Sequence, residues 1–157
     1  MESTDPNGKK IRILNNRMDQ SLCRVLAELN LTAAQSFLLG YLVRNRGCAI
    51  YPRDLEEQFQ LKHSTVSGIL GRLEAKGFLT FEADPQDRRC KRIRVLEPAV
   101  DCQARVEAVF QSWEEWLIHG FTAEEARLFG ELLSRAVKNL GGDKCMLPIP
   151  IREELNQ

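Results

Sequence analysis

Residues 64–98 read STVSGILGRLEAKGFLTFEADPQDRRCKRIRVLEP, and this stretch decides the architecture. At its start Val66, Ile69, Leu70 and Leu73 fall at i, i+3, i+4 and i+7, which makes one apolar stripe on a helix. Gly77 stands just past the end of that stripe as a C-cap. Leu79 to Ala83 and Lys91 to Leu96 then read as two strands, and Asp84, Pro85, Gln86 and Asp87 between them supply turn chemistry. Period two places Arg92 and Arg94 on one face of the returning strand and turns Ile93 and Val95 to the other, toward the core.

Upstream, Pro52 sits where a first helical turn tolerates it, and a short helix with Leu55 and Phe59 inward follows. A turn at Leu61 and Lys62 joins it to the helix above, so the two form a helix-turn-helix. From Lys9 to Leu29 a long first helix is expected, with Ile11, Leu14, Met18, Leu22, Val25 and Leu29 recurring at steps of three and four. Thr32 and Gln35 form a capping box that opens a second helix through Phe37, Leu38, Tyr41 and Leu42 to Gly47. After Pro98 the helical pattern returns through Val100 or Cys102, Val106, Val109, Trp113, Trp116 and Leu117. Thr122 and Glu125 open a last helix through Leu128, Phe129, Leu132, Leu133, Ala136 and Leu140. The expected fold is therefore mainly α with a small β-wing. The first and last helices carry more apolar surface than the central unit can cover, which points to packing against the same helices of a second copy.

At 157 residues the chain is one compact domain, or a small domain with attached helices. Its 43% hydrophobic content excludes wholesale disorder. The longest nearly unbroken apolar run, Phe37 to Val43, is far short of the roughly 20 residues of a membrane span. The polar start, MESTDPNGKK, lacks the apolar core of a signal peptide, and a cytoplasmic, reducing setting is expected. Cys23, Cys48, Cys90, Cys102 and Cys145 form no CxxC pair, so neither a disulfide framework nor a zinc knuckle is indicated. Net charge is zero, but residues 62–96 hold eight Lys+Arg against four Asp+Glu, while residues 97–157 hold six against eleven. Five of the seven residues from Arg88 to Arg94 are cationic. That run could be a solvated hairpin, but beside a helix-turn-helix it suits a polyanion.

Plotted at about 100° per residue, the helix of residues 64–75 turns Ser64, Gly68, Gly71 and Ala75 away from its apolar stripe, flanked by Thr65 and Arg72. Two glycines there cost about 1 kcal/mol each relative to alanine, a penalty that suits a face needing close approach to base edges. Hydroxyls can donate to phosphates, and Arg72 has the fork that suits guanine or phosphate. An ordinary surface helix with incidental glycines is the bland alternative. Arg88 and Arg89 at the hairpin tip can reach a minor groove. Asp87 beside them is repelled by phosphate, so its expected job is to hold an arginine by a charge-assisted hydrogen bond.

From Leu55 through Leu96, above all in the D-x-R of the wing (Asp87, Arg89) and the join LEAKGFL, the sequence resembles the MarR-type winged-helix regulators. The helix order extends the resemblance from Lys9 to Leu140. It implies a homodimer on a pseudo-palindromic operator in double-stranded DNA, with recognition helices in successive major grooves and wings in the minor grooves, more often repressing than activating. Carried over residue by residue, Ser64, Thr65, Ser67 and Arg72 lie in the major groove, Arg89 in the minor groove, and Asp87 braces the wing; Arg88, Lys91 and Arg92 complete the DNA-facing set. The corresponding division is 1–30, an N-terminal dimerisation helix; 31–97, the winged helix-turn-helix; 98–141, the C-terminal dimerisation helices; and 142–157, an extended tail. RVLEPAV stands where many members have a Thr-rich turn. Cys23 lies toward the later half of the first helix, away from the place of the cysteine in peroxide-sensing members, so that role is not transferred.

Members commonly bind small, often aromatic anions. Tyr41, Phe110 and Trp113 are the candidate lining of such a pocket, with plain core packing as the alternative. No cofactor or metal is expected. His63 and His119 are far apart, and the chain has no GxSxG, no phosphate-cradling glycine loop and no HExxH, which speaks against an enzyme. His63 reads as a polar helix-start residue near a phosphate. A thiol-based redox regulator of the same fold and a winged-helix module that binds protein are the rival functions.

Overall fold

A computed structural model describes residues 5–141. Six helices and one hairpin follow each other as α1 (Asn7–Glu28), α2 (Ala33–Arg44), α3 (Pro52–Phe59), α4 (His63–Ala75), β1 (Leu79–Ala83), β2 (Lys91–Val95), α5 (Glu97–Leu117) and α6 (Ala123–Asn139). The expected order is the observed one, with small shifts at element ends. Leu96 is the N-cap of α5 rather than the last strand residue, and Pro98 lies inside the first turn of α5, where its missing N–H costs nothing.

Local chemistry explains the boundaries. Thr32 Oγ1 accepts the Gln35 N–H at 3.2 Å while Gln35 Oε1 accepts the Thr32 N–H at 3.3 Å, and Thr122 and Glu125 repeat the box at α6. After α4 the chain reverses at Gly77, whose φ of +74° is costly for any residue with a Cβ. There the Gly77 N–H reaches the Glu74 carbonyl at 2.8 Å and the Phe78 N–H reaches that of Leu73 at 3.0 Å. The hairpin pairs Leu79 with Val95, Phe81 with Ile93 and Ala83 with Lys91. A single bridge from Ile50 to Ile93 adds a third rung, with the Ile93 N–H donating to the Ile50 carbonyl at 2.7 Å.

The core sits in the middle of the chain. Leu38, Leu39, Leu42, Leu55, Val66, Ile69, Leu70, Leu73 and Leu79 are essentially inaccessible, and Ile93, Ala99, Cys102 and Val106 close the cluster from the wing and α5. Of the two alternatives for the inner face of α5, Cys102 is buried and Val100 half-buried. Gly40 of α2 lies so close to α5 that a Cβ there would be 3.2 Å from the Gln103 amide.

The flanking helices behave differently. On α1 only Leu26 is buried, and the expected stripe residues Ile11 and Leu14 are exposed. No residue of α6 is buried. Within one protomer the stripes on these helices have nothing to cover their outer ends, so periodicity located the apolar faces correctly but did not place them in this core. The expected 142–157 tail and Cys145 fall outside the described residues.

Candidate nucleic-acid interface

The α4 face opposite its buried stripe is open. Ser64, Ser67, Gly71 and Arg72 are exposed; Thr65 is half-buried. Gly68 is partly shaded by the Arg72 guanidinium, with Nη2 3.7 Å from where a Cβ would stand, whereas Gly71 has open space above it. The face is thus shallow and carries hydroxyls and one cation, a shape that lets the helix backbone come near a groove floor.

The wing presents a second group. Arg88, Arg89 and Lys91 are exposed. Among the described residues, none of them, nor Arg72, has a carboxylate within ion-pairing distance. Arg92 and Arg94 differ: both reach Glu82 on the facing strand, Arg92 Nη2 at 3.3 Å from Oε2 and Arg94 Nη1 at 2.7 Å from Oε1. These bonds, the one from Arg94 foremost, hold the Glu82 carboxyl below the usual carboxylate range. So the run from 88 to 94 divides into free cations near the tip and, nearer the root, two cations that share one carboxylate.

The wing turn is organised by two carboxylates. Asp87 Oδ1 accepts the backbone N–H of Arg89 at 3.0 Å, so it holds an arginine by a charge-assisted hydrogen bond as expected, through the main chain. Its other oxygen lies 3.6 Å from Cys90 Sγ, and the Asp87 charge pushes that thiol's pKa up. So placed, Cys90 is a weaker thiolate than an ordinary cysteine, which disfavours redox sensing there. Asp84, read from the sequence only as a turn residue, is the more constrained of the pair. Its Oδ1 accepts the N–H groups of Gln86 and Asp87 at 2.7 and 3.1 Å, and its Oδ2 accepts the hydroxyl of Tyr51, 33 residues earlier in the chain. Asp opening a turn is a readable signal; a phenol so distant is not. His63 sits at the start of α4 with Nδ1 2.7 Å from Glu56 Oε1, and it shares a cleft with Arg89 and Lys91, which brings the wing tip beside the N-terminus of α4.

The three candidate effector residues separate. Phe110 and Trp113 meet edge-to-face at 4.8 Å, and Trp113 Nε1 donates to Ser21 Oγ at 2.7 Å. Trp113 also lines a cleft of about 290 Å³ with Leu14, Arg17, Met18, Trp116 and Phe121. Tyr41 does not line that cleft: its ring packs on Phe59 at 5.1 Å, beside Phe37, between α2 and α3. Among the described residues no group of His, Cys, Asp and Glu could hold a metal ion, and no helix is long and apolar enough to cross a membrane.

This arrangement has known counterparts. A sequence model of the MarR family matches residues 29–89, which hold α2 through most of the wing. The multiple antibiotic resistance protein MarR of Escherichia coli (strain K12) is 27% identical over 133 residues, 84% of this chain and 91% of that protein. Over residues 29–89 the chain is similar to the MarR family. The HTH-type transcriptional regulator BilQ of Clostridioides difficile (strain CD3) is 24% identical over 65% of this chain and 68% of its own length. Among solved structures, Staphylococcus aureus MepR in complex with DNA superimposes on this chain with a TM-score of 0.75 at 25% identity, covering 82% of this chain and 96% of that one. MepR bound to ethidium bromide gives a TM-score of 0.73 at 24% identity, over 87% and 97%.

Proposed function

We propose that this chain is a MarR-family regulator that works as a homodimer, binds a pseudo-palindromic operator in double-stranded DNA and represses transcription until a small ligand releases it. One observation carries the DNA-binding part: Arg88, Arg89 and Lys91, free of carboxylate partners among the described residues, sit on a hydrogen-bonded turn, and Arg89 and Lys91 share a cleft with His63 at the N-terminus of α4, the helix whose outer face is open at Gly71. In this reading Ser64, Thr65, Ser67 and Arg72 meet the major groove, while Arg88, Arg89 and Lys91 meet the minor groove and its flanking phosphates. Arg92 contributes less, because Glu82 already occupies its guanidinium. The DNA complex of MepR supports the geometry.

Dimerisation is supported by where the large apolar side chains lie exposed: Ile11, Ile13 and Leu14 on α1, Trp116 at the end of α5, and Leu128, Leu132 and Val137 on α6. They concentrate on the helices that lie outside the winged unit, as a two-fold interface requires. The cleft at Trp113 is the candidate effector site. Its aromatic walls and single Arg17 suit an aromatic ligand, and the ethidium complex of MepR supports a small-molecule role.

The test is a binding titration with duplexes selected from random DNA. The purified protein is expected to be a dimer, to prefer inverted half-sites whose centres lie about 10 bp apart, and to lose affinity steeply with salt as counterions are released. A monomer, or a dimer with no preference for any duplex at low salt, overturns the reading. A thermal-shift screen of aromatic acids and cations tests the effector site.

A further inference from the structure

We propose that Tyr51 positions the wing for DNA: by bonding Asp84 at the base of the wing turn, its hydroxyl sets the angle at which Arg88, Arg89 and Lys91 meet the duplex, without itself touching the duplex. The inference rests on the DNA-binding reading above.

Tyr51 is a fixed point. The carbonyl of Ile50 before it accepts the Ile93 N–H at 2.7 Å, its own N–H donates to Asp54 Oδ2 at 2.8 Å, and Pro52 after it begins α3. The backbone is therefore stitched to β2 on one side and to a helix N-terminus on the other, so its phenol projects from rigid ground. Asp84 is the matching point on the wing. It lies immediately beyond Ala83–Lys91, the last pair of the hairpin register, where strand pairing stops directing the chain. Its N–H donates to the Cys90 carbonyl at 2.9 Å, closing the root of the loop. One carboxylate oxygen gathers the turn amides of Gln86 and Asp87, and the other takes the phenol.

The division of labour between those oxygens matters. A two-stranded ribbon is marginal by itself, and its tip follows whatever side chains tie it down. Asp84 is 8% exposed, so without the phenol its second oxygen is a nearly buried charge with no hydrogen-bond donor left among the described residues. Water must then reach it, and the cheapest way to admit water is for the turn to swing away from α3. The turn carries Arg89, whose N–H hangs on Asp87 within the same loop. One bond at the base of the turn is thereby multiplied into a displacement of the cations at the tip. That hydrogen bond also holds the Asp84 carboxyl below its ordinary range and raises the Tyr51 hydroxyl.

Tyr51→Phe keeps the ring and removes only the bond. Operator affinity is expected to fall about tenfold, while the slope of log affinity against log salt stays at the wild-type value because no phosphate contact is lost. Peptide-resolved alkylation of Cys90 in the absence of DNA should quicken, since a loosened turn releases Sγ from Asp87. In an Asp84→Ala background the Tyr51→Phe change should have no further effect on affinity. Wild-type affinity in Tyr51→Phe, a reduced salt slope, or additivity with Asp84→Ala overturns the proposal. If the wild-type protein bound no DNA, the regulator reading would fail; Cys90 alkylation unaltered by Tyr51→Phe would mean instead that the bond does not order the wing.

Discussion

Arg89→Ala and Arg92→Ala are both single losses of a wing arginine, and the structure makes them unequal. Arg89 is exposed with no carboxylate in reach, so in the complex its charge replaces condensed counterions directly. A phosphate contact contributes about 0.9 to the slope of log affinity against log salt, and two-fold symmetry doubles the loss to about 1.8. Between 50 and 200 mM salt that difference amounts to about twelvefold: the wild-type protein loses about twelvefold more affinity over the interval than the variant does. Arg92 Nη2 lies 3.3 Å from Glu82 Oε2, and its charge must leave that partner before it can neutralise a phosphate. Its removal should therefore change the slope by less than about half as much. Neither the loss of exposed Arg89 nor that of half-buried Arg92 should move thermal stability by more than about 0.5 kcal/mol, so folding does not confuse the comparison. Fluorescence anisotropy of a labelled operator over a salt series measures both slopes. Equal slopes for the two variants, or an Arg89→Ala slope matching wild type, would refute the division of the wing into free and carboxylate-paired cations.

Three other perturbations probe different parts of the molecule. Gly71→Ala meets nothing within 4 Å and replaces a poor helix former, so urea unfolding should show a gain of about 1 kcal/mol per protomer, while operator binding weakens because a methyl now stands on the face nearest the groove floor; unchanged binding would remove α4 from the interface. Leu132→Glu takes an exposed leucine out of the α6 stripe, and the loss of about 1.5–3 kcal/mol per protomer should convert dimer to monomer in sedimentation velocity at micromolar protein. Acid should disorder the wing before the core: the folded pKa values of Asp84 and Glu82 are depressed, so their contribution is complete above the ordinary carboxylate range and disappears as pH falls through the depressed values. The amide resonances of Gln86 and Asp87, followed from about pH 6 to about pH 2, should move before those of α2, and simultaneous movement would contradict the assignment.

How far the sequence could be read depended on the range of the interaction concerned. The stripe of Val66, Ile69, Leu70 and Leu73 and the alternation of Ile93 with Arg92 and Arg94 specify helix and strand because their periods are local, and each lies where its period puts it. The boxes at Thr32 and Thr122 span three residues and were equally plain. Burial is a property of the whole protomer, yet the surplus of apolar surface on the first and last helices was already legible as a count, and Ile11, Leu14, Leu128 and Leu132 are indeed left uncovered by the single chain. Within the basic run, composition counted five like charges, but only the cross-strand register, Glu82 opposite Arg92 with Arg94 two residues on, shows that two of them are already paired. The two carboxylates of the wing make the same point most sharply. Asp87 drew notice because a carboxylate beside the tip arginines would be repelled by phosphate, and its carboxylate serves the backbone N–H of Arg89. Asp84 looked like ordinary turn filler, yet it joins the wing to Tyr51, 33 residues away. Sequence patterns report what a residue does for its own turn. What it does for a distant element has to come from the fold, and in a winged helix that second service is the one that aims the charges.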